Sequence, residues 1–287
     1  MKIGVSGFAW TARFQESHLD ILPFVKALGL DALEVPMFDP AVLPVERIRD
    51  AFARNGLECT ACAILPGHIN PISPDASVRR HAIHHLGECI EAAARMGCRL
   101  LGGPLFAPIG YLPEHRPSQS EWNWAVEAFR SLSDVLEACD VSLAIEPVNR
   151  AETFFLRTGA EAKRLCEEIG NPRIGITIDT FHANIEELDI TQAIRMLGPH
   201  LKHIHASESD RGPLGRGHIP FANIISVLDA QHYNGYLMIE GFGYDPAEED
   251  APGYLWASVD VPPQLFVNES YSYLRQLLGQ LSAARLL

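Results

Sequence analysis

The sequence predicts an α/β protein, a single (β/α)₈ (TIM) barrel over residues 1–287. Short apolar runs alternate with amphipathic stretches from end to end, eight of each. The repeat returns about every 25–45 residues, the spacing of strand–helix units around a barrel. A doubly wound open sheet would share the alternation, but it normally brings a glycine-rich cofactor turn. No GxGxxG, P-loop or GxSxG occurs here, and no nucleotide cofactor is expected.

Lys2–Val5 reads as the first strand, and LDILPFVKALG follows as the first helix. Ala32–Val35 precedes VERIRDAFARNG, and Glu58–Ile64 precedes ASVRRHAIHHLGECIEAAARMG. Arg99–Gly102 leads to SEWNWAVEAFRSLSDVLEA, and Ser142–Ile145 to GAEAKRLCEEIG. Ile174–Ile178 is paired with DITQAIRMLG, Leu201–His205 with FANIISVLDAQ, and Tyr236–Ile239 with ESYSYLRQLLGQL. The helical stretches carry apolar residues at 3–4 spacing, and several end on glycine, which closes a helix without a Cβ penalty. The long irregular stretch Gly241–Pro263 is acidic early (Asp245, Glu248, Glu249, Asp250) and aromatic later (Tyr254, Trp256). It reads as a solvated loop on the catalytic face, with a lid or subunit contact as the alternative.

Hydrophobic residues make up 47% and charged residues 21% of the chain, a globular balance. A formal charge of -13 repels phosphate backbones and argues against a nucleic-acid partner. No window reaches the ~18 apolar residues of a membrane span, and no secretory leader is visible. The six cysteines include one CxxC, Cys59 and Cys62, with no second pair at zinc-finger spacing. Reduced, structural thiols in a cytoplasmic protein are expected.

Residues at the C-terminal ends of barrel strands converge on one site. The fifth run ends in Glu146, the sixth in Asp179, the seventh in His205 and the eighth in Glu240. Taken singly, Glu146 reads as a turn residue and Asp179 as a helix cap. Together, three carboxylates would repel one another, and a divalent cation removes that conflict. One imidazole among oxygens points to Mn²⁺, Mg²⁺ or Co²⁺, with Mn²⁺ favoured. His203 shares a strand face with His205 and reads as a satisfied barrel histidine. Glu34 closes the second run with no ligand candidate beside it, and reads as structural or supporting.

The segments AIEPVNRAE, TIDTFHANIEE, HIHASESDRG with GRGHIPF, and MIEGF resemble those of the ketose 3-epimerases, within the xylose-isomerase-like barrel superfamily. The specific motifs lie between Glu146 and Phe242; the strand–helix order carries the resemblance over essentially the whole chain. The resemblance implies metal ligation by Glu146, Asp179, His205 and Glu240. It also implies substrate-hydroxyl contacts from Glu152, His182 and Arg211, an apolar wall at Phe242, and a homo-dimer or homo-tetramer. The expected reaction inverts C3 of a free ketose (D-tagatose/D-sorbose, D-fructose/D-psicose or L-ribulose/L-xylulose type) through a cis-enediolate. Glu146 and Glu240 would serve as the two catalytic carboxylates on opposite faces of C3. A 1,2-aldose–ketose or hydroxypyruvate isomerase of the same superfamily is the alternative.

Overall fold

The buried, β-branched runs close on themselves. In the computed structural model, which describes residues 1–243 and 261–284, eight parallel strands form a closed barrel in sequence order. They are β1 (Lys2–Ser6), β2 (Ala32–Met37), β3 (Glu58–Ala63), β4 (Leu100–Gly103), β5 (Ser142–Ile145), β6 (Ile174–Asp179), β7 (Leu201–Ala206) and β8 (Tyr236–Ile239). Each lies within one or two residues of its predicted span. The stretch Gly241–Pro263, with its acidic and aromatic residues, lies almost wholly outside the described residues.

The α-helices are α1 (Leu22–Leu28), α2 (Val45–Asn55), α3 (Ala76–Met96), α4 (Gln119–Ser131), α5 (Ser133–Cys139), α6 (Gly159–Ile169), α7 (Thr180–Glu186), α8 (Ile190–Leu197), α9 (Phe221–Ala230) and α10 (Pro263–Ala284). Two differences from the predicted elements stand out. The expected helix SEWNWAVEAFRSLSDVLEA is broken at Leu132 into α4 and α5. α7 was not expected, because seven residues carry too little apolar periodicity to read as a helix. Polar caps set several starts: Ser118 and Glu121 form a reciprocal capping box on α4, and Thr158 and Glu161 on α6.

Alternation along the strands sorts the side chains. Leu33, Val35, Ile176, Ile178, Ile204 and Ile239 face the helices, where they join Ile48, Leu86, Phe129, Leu165, Ile194 and Leu228 in one buried core. The inward positions are smaller and more polar. They include Glu34, Thr60, Thr177, Asp179, His203, His205 and Glu240, all buried. A barrel interior is usually filled by branched aliphatics, so this polar column is a candidate site. No helix among the described residues is long and apolar enough to cross a membrane.

Candidate active site

The barrel ladder itself aims the carboxylates. Glu146 and Glu240 stand one residue past β5 and β8, and their backbone N–H groups continue the ladder, donating to Gly103 O at 2.9 Å and Ala206 O at 3.0 Å. Gly103 reaches this position at φ +121°, where an added Cβ would meet Ala63 O at 2.2 Å, so the backbone beside Glu146 requires glycine. Asp179, expected just past its strand, lies within it, and His205 lies within its strand as expected; the two are register partners of β6 and β7. Asp179 also caps α7, accepting from Phe181 N at 2.6 Å and His182 N at 3.0 Å. The capping and the clustering interpretations both hold for this one residue: its Oδ1 caps the helix and its Oδ2 faces the site.

The four side chains meet. Ligand-capable atoms of Glu146, Asp179, His205 and Glu240 all lie within 4.8 Å of one another, each on a buried residue. His205 Nδ1 stands 3.3 Å from Glu146 Oε1 and 3.6 Å from Glu240 Oε1. Arg211 Nη1 adds a cation at the edge, 2.6 Å from Asp179 Oδ2 and 3.1 Å from Glu240 Oε2. Its guanidinium lies between two rings, 4.2 Å from the Phe181 centroid and 5.0 Å from that of Phe242. Arg211 holds φ +61°, an uncommon left-handed conformation that marks a constrained position.

Charge compression is visible in the titration directions. Burial pushes Glu240 well above the usual carboxylate range, and Asp179 and Glu146 add to this against the pull of His205 and Arg211. Burial would also raise Asp179, yet Arg211 and then His182 hold it well below that range. For His205, burial favours the neutral ring, but Glu240, Glu146 and Glu34 together raise its pKa well above the ordinary histidine value. Without a metal, then, the carboxylates draw on His205 and Arg211 for compensation. Three carboxylates and one imidazole nitrogen form a donor set that fits an oxygen-preferring divalent cation.

Glu152 and His182 are joined by a residue the sequence reading missed. Asn149 Nδ2 donates to Glu152 Oε1 at 2.8 Å and faces His182 Nδ1 at 2.8 Å, while its own Oδ1 accepts from Ala151 N at 2.9 Å. The Asn149 backbone N–H donates to the same His182 Nδ1 at 3.2 Å. The other ring nitrogen, Nε2, faces Arg211 Nη2 at 3.1 Å, and a guanidinium only donates, so both nitrogens of His182 face N–H donors.

Ser207 was missed as well: its Oγ donates to Asp179 Oδ2 at 2.9 Å and accepts from Arg211 Nη1 at 2.7 Å. Its place two residues after His205, on the same strand face, was the available signal. Glu34 corrects an expectation, since ligand candidates do lie beside it: His205 Nε2 at 3.0 Å and His203 Nε2 at 3.0 Å. Burial would raise the Glu34 pKa, but the two imidazoles hold it well below the carboxylate range. Phe242 packs on Phe8 at a 5.4 Å centroid distance, within a small apolar cluster that includes Ala12, Cys62, Phe38 and Ile64.

Comparison with known proteins agrees with the barrel fold. The family described as Xylose isomerase-like TIM barrel matches residues 22–257. The chain is 28% identical over 277 residues to a probable ketose 3-epimerase of Synechocystis sp., covering 96% of each chain. It is 32% identical over 250 residues to an L-ribulose 3-epimerase of Mesorhizobium japonicum, covering 87% of this chain and 84% of the relative. A solved structure of L-ribulose 3-epimerase superposes with a TM-score of 0.89 at 29% identity, covering 99% of this chain and 97% of the other.

Proposed function

From a chain that belongs to the xylose isomerase-like TIM barrel family, and groups there with ketose 3-epimerases, we propose a metal-dependent enzyme that inverts C3 of free ketoses. The observation that carries the proposal is the placement of Glu146 and Glu240. They arrive from β5 and β8, strands that are not neighbours in the barrel, and stand 3.3 Å and 3.6 Å from His205 Nδ1. Two carboxylates set apart in this way can flank one carbon.

Epimerisation at C3 removes the proton beside a carbonyl and returns one to the opposite face. One of Glu146 and Glu240 accepts the C3 proton as the C–H electron pair moves toward the carbonyl, giving a cis-enediolate. The other donates a proton to C3 from the opposite face, and the roles exchange in the reverse reaction. Glu146, Asp179, His205 and Glu240 would hold a divalent cation, which supplies charge neutralisation and polarises the carbonyl and neighbouring hydroxyl. His182 and the guanidinium of Arg211 donate hydrogen bonds to the O1–O2 end, where negative charge develops. Glu152, held by Asn149, accepts from a substrate hydroxyl there, and Phe242 provides the apolar wall.

Mn²⁺ is the preferred ion, with Co²⁺ and Mg²⁺ as alternatives. The substrate is a free ketose of the D-tagatose, D-fructose or L-ribulose type. The chain acts as one catalytic domain over residues 1–287, in the cytoplasm, as a homo-dimer or homo-tetramer that light scattering would reveal. Metal-stripped and Mn²⁺-restored protein, incubated with D-fructose, D-tagatose and L-ribulose in D₂O and followed by NMR, tests the reaction. Metal-dependent appearance of the C3 epimer with deuterium at C3 is expected. Deuterium at C1 or C2 with an aldose product would move the chain to the 1,2-isomerases.

A further inference from the structure

Beneath the four-residue cluster, toward the N-terminal end of the barrel, lies a second polar layer that the proposed reaction does not use. Its centre is Glu34, fully buried on β2. Among the described residues, its charged partners are the imidazoles of His203 and His205. Oε1 stands 3.0 Å from His205 Nε2, and Oε2 stands 3.0 Å from His203 Nε2 and accepts from Thr60 Oγ1 at 3.2 Å. Neither Glu34 Oε1 nor His205 Nε2 has a hydrogen-bond partner among the described residues; they face each other as an ion-pair contact. The imidazole of His205 is thus held between two layers, with Nδ1 turned to Glu146 and Glu240 and Nε2 turned to Glu34. A ring that ligates through Nδ1 must carry its proton on Nε2, and a carboxylate facing Nε2 selects that tautomer and that ring orientation.

We propose that Glu34 is a positioning residue that orients His205 so that Nδ1 is presented to a divalent cation, with Thr60 and His203 holding Glu34 in turn. This rests on reading the four-residue cluster as a divalent-cation site, and the test separates the two ideas. Wild-type protein and Glu34→Gln are stripped of metal and titrated with Mn²⁺ by calorimetry. Each is also loaded with Co²⁺ and its visible spectrum recorded. Partners of this kind typically change metal affinity about 10–100-fold, so a Kd for Mn²⁺ raised at least tenfold and an altered Co²⁺ spectrum are expected.

A purely structural Glu34 would lower the melting temperature of the stripped protein, while the Kd of the folded variant and its Co²⁺ spectrum stayed those of wild type. That result would overturn the proposal. Should Glu34→Gln fail to fold, the nearly isosteric Thr60→Val carries the test, with a Kd raised about threefold expected from loosening Glu34 and an unchanged Kd refuting it. Wild-type protein that binds neither ion would overturn the metal site itself, and the role of Glu34 with it.

Discussion

Removing the Arg211 guanidinium offers a direct measure of how the buried charges are balanced. In Arg211→Met the apolar stem and the packing between Phe181 and Phe242 are largely retained, while Asp179 Oδ2 and Glu240 Oε2 lose the cation now 2.6 Å and 3.1 Å away. The side chains are 10% exposed for Arg211, 0% for Asp179 and 5% for Glu240, so solvent screens little of this interaction. Breaking a buried pair by deleting one partner costs about 3–5 kcal/mol, most of it the stranded charge. For a chain of this size that corresponds to a drop of roughly 5–8 °C in melting temperature. A divalent cation on the same carboxylates would supply the missing charge, so the drop should be large in stripped protein and should shrink to a few degrees with saturating Mn²⁺. Differential scanning fluorimetry in chelator and in Mn²⁺ reads both. An equal drop in the two conditions would refute the idea that Arg211 and a cation share Asp179 and Glu240.

The other predictions are more local. Glu146→Gln and Glu240→Gln should each cut turnover by at least about 10³-fold with circular dichroism unchanged; a near-normal rate in either would sink the two-carboxylate scheme. Asn149→Ala removes the amide that holds both Glu152 and His182, and a loss of about 10–100-fold in kcat/KM is expected from leaving buried polar groups unpaired. Gly103→Ala should be strongly destabilising, because its Cβ would meet Ala63 O at 2.2 Å; wild-type stability would show that β4 can shift. The Glu186 carboxyl is pulled up by burial but held below its usual value of 4.5 by hydrogen bonds from Arg150 and the charge of Arg157. Its folded-state pKa is therefore depressed, and its contribution is full above pH 4.5 and lost as pH falls through the folded value. The melting-temperature gap between wild type and Glu186→Gln should be constant near neutrality and close at acid pH.

Some of this molecule is written locally. The run Ile174–Asp179 reads as a buried strand because every residue in it is buried, so β-branched residues dominate. The same local logic places the eight strands, and once they are ordered around a barrel their ends name Glu146, Asp179, His205 and Glu240 as neighbours. α7 was hidden because its seven residues are held by the Asp179 cap and by contacts to β6 and β7 rather than by periodicity. The break at Leu132 was hidden because α4 and α5 share one continuous amphipathic pattern. Asn149 and Ser207 were overlooked because an amide or hydroxyl becomes informative only once its partners are known.

The chain order alone thus determined the barrel, its strand positions and the charge conflict at its C-terminal mouth, since each follows from patterns within a few residues and one rule of strand geometry. Only the closed structure decided that Glu34 meets His203 across a separation of 169 residues, and that His205 is held between two acidic layers. It also decided that Arg211 leans on Asp179 and Glu240. Those contacts depend on which side chains point inward at the same height, and inward height is set by the register and stagger of all eight strands together.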